Sequence, residues 1–266
     1  MPLYKVLYDD MEIQIRNLLS SVVFVSLVYG PCALGATATI AVASNFGEVA
    51  QHLADEFESI TGHELTLVMG ASGRFYAQIS NGAPFDVFLS ADFEKPENLI
   101  SSGLALSDSV FTYATGRLAL WSRDEALIKN NASVLSSNSS YKVAYANPRL
   151  APYGRAAVEV IHALALFEVL EQNLVQGENI AQAYQFVFTG NAELGFVALS
   201  QVLRNGELGF GSSWVIPADL HSPIRQDAVL LGRAKNNAAA KEFLNFLKLS
   251  RSQAVIQSYG YGPGDR

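Results

Sequence analysis

Four short polar segments along this chain have the residue types of an anion-binding site, and each lies between an apolar run and an amphipathic stretch. We call them joints 1 to 4: Ser44-Asn45, Gly70-Ala71-Ser72-Gly73, Asn147 through Gly154, and Gly177-Glu178-Asn179-Ile180. The first N–H groups of a helix have no partner within it, and together with the helix dipole they attract negative charge. One such segment alone is more often a plain N-cap. Four of them favour a site where neutral donors hold a small anion.

The elements that must position the joints are strands and helices in alternation. Apolar runs predict strands at Ile40–Ala43, Leu65–Met69, Val87–Leu89, Leu118–Trp121, Lys142–Ala146 and Leu194–Leu199. Apolar residues at steps of three or four predict helices at Phe46–Ile60, Arg74–Ser80, Pro96–Ser101, Tyr153–Leu170, Ile180–Phe188 and Ala238–Leu249. Such alternation is typical of parallel βαβ units, whose ligands bind beyond the carboxyl ends of the strands.

Two finer expectations concern the ends of these helices. Ser44 or Asn45 is the expected N-cap of the first helix, and Asn179 is that of the helix after joint 4, because both residue types favour this position. The glycine-rich tail from Gly260 to Gly264 is expected to fray.

Length and charge limit the classes of function. The 266 residues, 50% of them hydrophobic, suffice for two lobes with a core each. The net charge of −7 and a pI near 5.1 argue against nucleic acid or an anionic membrane as partner. They do not argue against a small anion.

Residues 1–38 have the pattern of a secretory signal peptide. Arg16 precedes an apolar run over residues 18–29, and Ala36-Thr37-Ala38 is a small-residue cleavage pattern directly before the first strand. The only cysteine, Cys32, lies in this segment, so the mature chain would form no disulfide. A lipid anchor at Cys32 is the alternative, and the residues before it fit a lipobox poorly.

The segment Gly82 through Asp92, preceded by joint 2, closely resembles the periplasmic molybdate-binding proteins of ABC importers. Joints 3 and 4 and the segment Leu194 through Ser200 continue the resemblance in order, and it covers roughly residues 38 to 262. It implies a type II periplasmic-binding-protein fold, with two doubly wound α/β lobes and a ligand cleft between them. Lobe one would be 38–118 plus 224–266 and lobe two 119–223, with crossings near Tyr113–Leu120 and Pro217–Ile224.

The same resemblance implies the ligand site and the partners. The family's ligand positions correspond to Ser44, Asn45, Ser72, Tyr153 and Ile180, whose hydroxyl and backbone N–H groups would donate to the oxygens of molybdate or tungstate. Some members have a tyrosine where this chain has Ala198, and Tyr153 is the hypothesised replacement for that hydroxyl. No catalytic residue, cofactor or metal beyond the oxyanion is implied. The implied partner is a membrane permease with its ATPase, and the chain is expected to be a periplasmic monomer.

Other interpretations have less support in the residues. Arg74 and Arg155 follow two joints and could attract an anion, although solvated helix side chains are the commoner case. The four histidines lack metal-ligand spacing. Another oxyanion such as sulfate is the nearest alternative function. A serine-dependent hydrolase is less favoured, because no Gly-x-Ser-x-Gly pattern surrounds Ser44 or Ser72.

Overall fold

The computed structural model describes residues 35–129, 131–137, 140–204 and 206–264. Nearly all of the predicted signal peptide, and with it Cys32, lies outside the described residues. Within the described ranges, no helix is both long enough and apolar enough to cross a lipid bilayer.

The described residues form twelve strands and nine α-helices. Strands β1 to β12 are Thr37–Ala43, Glu64–Gly70, Val87–Leu89, Phe111–Gly116, Leu118–Ser122, Val143–Ala146, Leu174–Gly177, Leu194–Ala198, Leu203–Arg204, Glu207–Leu208, Ser212–Val215 and Ile224–Leu230. Helices α1 to α9 are Gly47–Thr61, Ser72–Ser80, Glu94–Ser101, Ser133–Ser137, Pro152–Ala163, Phe167–Leu170, Ile180–Phe188, Ala238–Leu247 and Ser250–Ser258. Each predicted strand and helix has a counterpart. The single helix predicted over Tyr153–Leu170 is wrong, because α5 ends at Ala163 and Ala165 adopts a left-handed φ of 54° before α6.

The strands lie in two five-stranded sheets, each with its own helices, and we call these units lobe one and lobe two. The order is β2-β1-β3-β12-β4 in the first sheet and β11-β5-β8-β6-β7 in the second. In lobe one, β1 runs parallel to β2 and β3, and in lobe two, β6 runs parallel to β7 and β8. Each lobe buries an apolar core between its sheet and helices.

The strands that connect the lobes run antiparallel to their neighbours, unlike the parallel strands of the βαβ units. Strand β12 is antiparallel to β3 and β4, and β5 is antiparallel to β8 and β11. The reason is topological: β4 leads the chain out of lobe one and β12 leads it back, so the two run side by side in opposite directions. They meet at the crossing itself, where Ile224 pairs with Gly116.

The C-terminal tail packs on lobe one, so the expectation of a frayed tail is wrong for residues 260–264. Gly262 and Thr115 exchange backbone hydrogen bonds of 2.8 and 3.1 Å, which add the tail to the edge strand β4. Tyr261 is 5% exposed, and its ring lies 5.6 Å from that of Phe46. Burial of this aromatic side chain stabilises the tail.

Candidate anion-binding site

Three of the four joints are helix N-termini as predicted. Joint 2 starts α2 at Ser72, joint 3 starts α5 at Pro152, and joint 4 starts α7 at Ile180. The predicted cap at Asn179 is confirmed, because its Oδ1 accepts a hydrogen bond from the N–H of Gln182 at 3.0 Å. Each of these helices directs the positive end of its dipole toward its joint.

Joint 1 differs from its prediction. Ser44–Phe46 forms a 3-10 turn, and α1 begins at Gly47 with no side-chain cap. The expected N-cap at Ser44 or Asn45 is therefore wrong. The physical reason is that the amide of Asn45 is used elsewhere, in hydrogen bonds to Gln226 and Tyr261.

Joints 2, 3 and 4 meet between the lobes, although joint 2 belongs to lobe one and the others to lobe two. The N–H of Gly73 donates to the carbonyl of Leu150 at 2.8 Å, which brings the start of α2 against joint 3. A cavity of about 270 Å³ is lined in part by residues of all three joints, namely Gly70, Ala71, Leu150, Glu178 and Asn179.

Joint 1 lines a second cavity between the lobes. Ser44 and Asn45 line a smaller cavity of about 150 Å³ together with Tyr184, Ser200 and Gln201 of lobe two. The side chain of Gln201 also donates to the carbonyl of Ile180 at 3.3 Å and accepts from the N–H of Ala198 at 2.9 Å. The structure thus places the predicted site residues at the boundary between the lobes.

The donors of this region are largely uncommitted. Within the described part of the chain, the N–H groups of Ser72, Tyr153 and Ile180 donate to no backbone or side-chain acceptor. The Oγ of Ser72 accepts from the N–H of Ala91 at 3.0 Å, and its own hydrogen has no acceptor among the described residues. Ser72, Tyr153 and Ile180 are no more than 2% exposed. Buried donors without partners are costly, so the arrangement is suited to an acceptor that binds there.

Tyr153 faces this region with two groups. Its hydroxyl accepts a hydrogen bond from Nε2 of Gln226 at 3.2 Å, and its backbone N–H lies at the start of α5. A Cβ on Gly116 would lie 2.2 Å from this hydroxyl, so only glycine fits at the crossing between the lobes. Burial, with a smaller effect of Tyr261, raises the pKa of the Tyr153 phenol well above its ordinary value, and the hydroxyl remains a neutral group.

Three residues near the site were not predicted from the sequence as functional residues: Ser200, Gln226 and Tyr261. They are between 0% and 5% exposed and form hydrogen bonds with Asn45. Ser200 ends a segment that carried the family resemblance, which was a usable signal. Gln226 and Tyr261 follow no motif and are separated from Asn45 by 181 and 216 positions.

Charged side chains also lie near the site. Arg155 forms an ion pair of 2.9 Å with Glu94 of lobe one, and the two side chains are 44% and 46% exposed. Arg74 is exposed and lines the larger cavity. Asp86 accepts from the N–H of Thr39 at 2.8 Å, a structural role. In the residues that the structure covers, no cluster of three or more His, Cys, Asp or Glu side chains is placed to hold a metal ion.

Comparisons with known proteins identify the family and the fold. The family model described as bacterial extracellular solute-binding protein matches residues 38–262. The molybdate-binding protein ModA of Azotobacter vinelandii is 49% identical over 230 residues, which cover 86% of this chain and 91% of that relative. ModA of Rhodobacter capsulatus is 50% identical over 221 residues, covering 83% and 86%. The solved structure of the A. vinelandii periplasmic molybdate-binding protein matches with a TM-score of 0.81 and 39% identity, over 84% of this chain and 98% of that chain. The predicted family and two-lobed fold are confirmed.

Proposed function

The chain belongs to the family of bacterial extracellular solute-binding proteins, and from this premise we propose that it captures molybdate in the periplasm for an ABC importer. The observation that carries the proposal is that all four joints lie between the two lobes, with three uncommitted N–H groups and the Ser72 hydroxyl. Relatives that are about half identical over most of their length are named molybdate-binding proteins.

The donors suit a tetrahedral dianion. A buried dianion loses its hydration, so each oxygen needs hydrogen-bond donors in exchange, and a charge-assisted hydrogen bond contributes roughly 1.5–3 kcal/mol. Helix N-termini supply N–H groups with a favourable dipole and need no counter-ion. Tungstate has nearly the same size and charge as molybdate, and we propose that it binds as well.

Closure of the two lobes around the anion is expected because both lobes supply donors. Ser44, Asn45 and Ser72 belong to lobe one, whereas Tyr153 and Ile180 belong to lobe two. An anion that contacts both sets binds the closed arrangement more tightly than an open one and shifts the population toward closure. Reopening would then be required for release, which fits delivery of the anion to a membrane permease driven by its ATPase.

The alternatives are distinguished by size and by chemistry. Sulfate is smaller than molybdate, so its oxygens cannot reach every donor at the same time. A hydrolase would need a base beside Ser44 or Ser72, and neither serine has a histidine partner among the described residues. The relatives are named as binding proteins.

Parallel calorimetric titrations of the dialysed protein with molybdate, tungstate, sulfate and phosphate test the proposal. We expect one-to-one binding of molybdate and tungstate, with much weaker binding of sulfate and none of phosphate. Sulfate that binds as tightly as molybdate would overturn the assigned ligand. No heat and no thermal stabilisation from any of the four anions would overturn oxyanion binding as a whole.

A further inference from the structure

A buried hydrogen-bond network holds Asn45, the second residue of joint 1. The backbone carbonyl of Asn45 accepts from the hydroxyl of Tyr261 at 2.8 Å and lies 3.1 Å from the Oγ of Ser200. Its Nδ2 donates to Oε1 of Gln226 at 2.9 Å and to the Tyr261 hydroxyl at 3.0 Å. Both the backbone and the side chain of Asn45 are therefore fixed by tertiary contacts.

The hydroxyl of Tyr261 forms every hydrogen bond that a hydroxyl can form. It donates one hydrogen bond, to Asn45, and accepts two, from Nδ2 of Asn45 and from Ser200 at 2.9 Å. This residue comes from the C-terminal tail, which the contact of Gly262 with β4 attaches to lobe one. The tail thus supports joint 1 from behind.

The network crosses between the lobes at two points. Three members of the network belong to lobe one. Asn45 follows β1, Gln226 lies in β12, and Tyr261 lies in the tail that packs on β4. Ser200 follows β8 in lobe two and contacts both Asn45 and Tyr261. Tyr153 of α5 is the second point, through its 3.2 Å contact with Gln226.

All five side chains are at most 5% exposed in this closed arrangement. Separation of the lobes must break the Ser200 and Tyr153 contacts, and water must then replace them. In a site of low dielectric such hydrogen bonds are stronger than in water, and they support one another. The network therefore opposes opening at the point where joint 1 meets the anion.

We propose that the hydrogen bond from Ser200 to Tyr261 forms an interlobe clasp beside the carbonyl of Asn45, which positions joint 1 and slows release of the bound oxyanion. Neither residue needs to contact the anion, so both are positioning residues. This inference rests on the proposed function, because the release rate is measured with molybdate. It assigns a role in closure to the C-terminal tail.

The test measures the dissociation rate of molybdate by stopped flow for Ser200→Ala, Tyr261→Phe and the double variant. One neutral buried hydrogen bond is worth about 1 kcal/mol, so each single variant should release the anion about fivefold faster, with little change in the association rate. The double variant should release it about as fast as Ser200→Ala alone, because both changes remove the same interlobe hydrogen bond, from Ser200 to Tyr261. Tyr259→Phe is the matched control, since this nearby hydroxyl lies 3.5 Å from His52 within lobe one; it should release at the wild-type rate.

The melting temperature without ligand separates positioning from general stability. Ser200→Ala should leave this melting temperature unchanged, because the contacts of Ser200 in this network form only across the closed lobes. If Tyr261→Phe folds poorly, Ser200→Ala alone still tests the clasp. Wild-type dissociation rates in both single variants would overturn the clasp. A wild-type protein that binds no molybdate in the same run would overturn the proposed function and the clasp together.

Discussion

At the scale of single residues, Ser72 combines the strongest features of a ligand donor. The N–H of Ala91 occupies one lone pair of its hydroxyl oxygen at 3.0 Å, which orients the hydroxyl and leaves its hydrogen for another acceptor. The side chain is 1% exposed and stands at the first position of α2. Ser72 was predictable from its joint, and the structure adds the contact that orients it.

Ser72→Ala should weaken molybdate binding by about 10- to 100-fold, since it removes a charge-assisted hydrogen bond of roughly 1.5–3 kcal/mol. Calorimetric titration measures the change. Ser80→Ala, at the exposed end of the same helix, is the control and should bind as the wild type does. Wild-type affinity in the Ser72 variant would exclude this hydroxyl from the site.

The Tyr153 hydroxyl is the proposed second side-chain donor to the anion. Its oxygen accepts from Gln226, and its hydrogen has no acceptor among the described residues. Tyr153→Phe should weaken molybdate binding several-fold, and by less than Ser72→Ala, because the backbone N–H of residue 153 remains. Titration of both variants under one set of conditions compares them. Unchanged affinity would leave only the backbone of Tyr153 in contact with the anion.

At the scale of elements, the close approach of α2 to joint 3 requires a glycine. A Cβ on Gly73 would lie 3.0 Å from both the Cα and the carbonyl oxygen of Leu150, and these are backbone atoms that cannot rotate away. The N–H of Gly73 also forms the 2.8 Å hydrogen bond to Leu150 that joins the lobes. Gly73 in joint 2 therefore permits closure of the lobes, and it also leaves the N-terminus of α2 accessible.

Gly73→Ala should weaken molybdate binding by about tenfold or more, because steric overlap of this kind costs about 1–3 kcal/mol and arises only when the lobes close. The free energy of unfolding without ligand should change little. Gly232→Ala is the matched control, as its Cβ would meet no atom closer than 3.4 Å. Chemical denaturation and titration together measure the two effects, and equal affinity in both variants would contradict the steric argument.

At the scale of the whole molecule, polar contacts between the lobes are buried in the centre and exposed at the edge. Tyr113, Tyr153 and Tyr261 lie inside with hydrogen-bonded phenols, and of these Tyr153 and Tyr261 form hydrogen bonds to the other lobe. The ion pair of Arg155 with Glu94 is nearly half exposed on each side, so water screens it and its contribution is at most about 1 kcal/mol. The buried phenols of Tyr153 and Tyr261 therefore contribute more to the closed form than the ion pair.

The stability of the protein should fall as the pH rises above about 10. Burial raises the pKa of each of these three phenols above its ordinary value of 10.0, so the unfolded chain loses protons that the folded chain retains. Each phenol then lowers the free energy of unfolding by up to about 1.4 kcal/mol per pH unit, and none has this effect below pH 9. Denaturation at pH 9, 10 and 11 measures the slope. Tyr261→Phe should reduce it, and equal slopes in the variant and the wild type would contradict this account.

The sequence by itself determined the features that depend on neighbouring residues. The apolar run of β3, the helix Ile180–Phe188 with its cap at Asn179, and Pro152 at the start of α5 were all predictable, because local spacing and backbone preference decide them. The resemblance of ordered motifs identified the family before the fold was known. Short strands such as β7, which is partly exposed and has no apolar run, gave no comparable signal.

Only the tertiary structure decided how distant segments meet. The antiparallel course of β12, the use of Asn45 in tertiary hydrogen bonds instead of a cap, and the packing of the tail through Tyr261 all depend on contacts across the fold. Asn45 and Tyr261 are 216 positions apart, and no local pattern encodes such a contact. The order of strands and the crossing between the lobes bring the two residues together, and these arise only when the whole chain has folded.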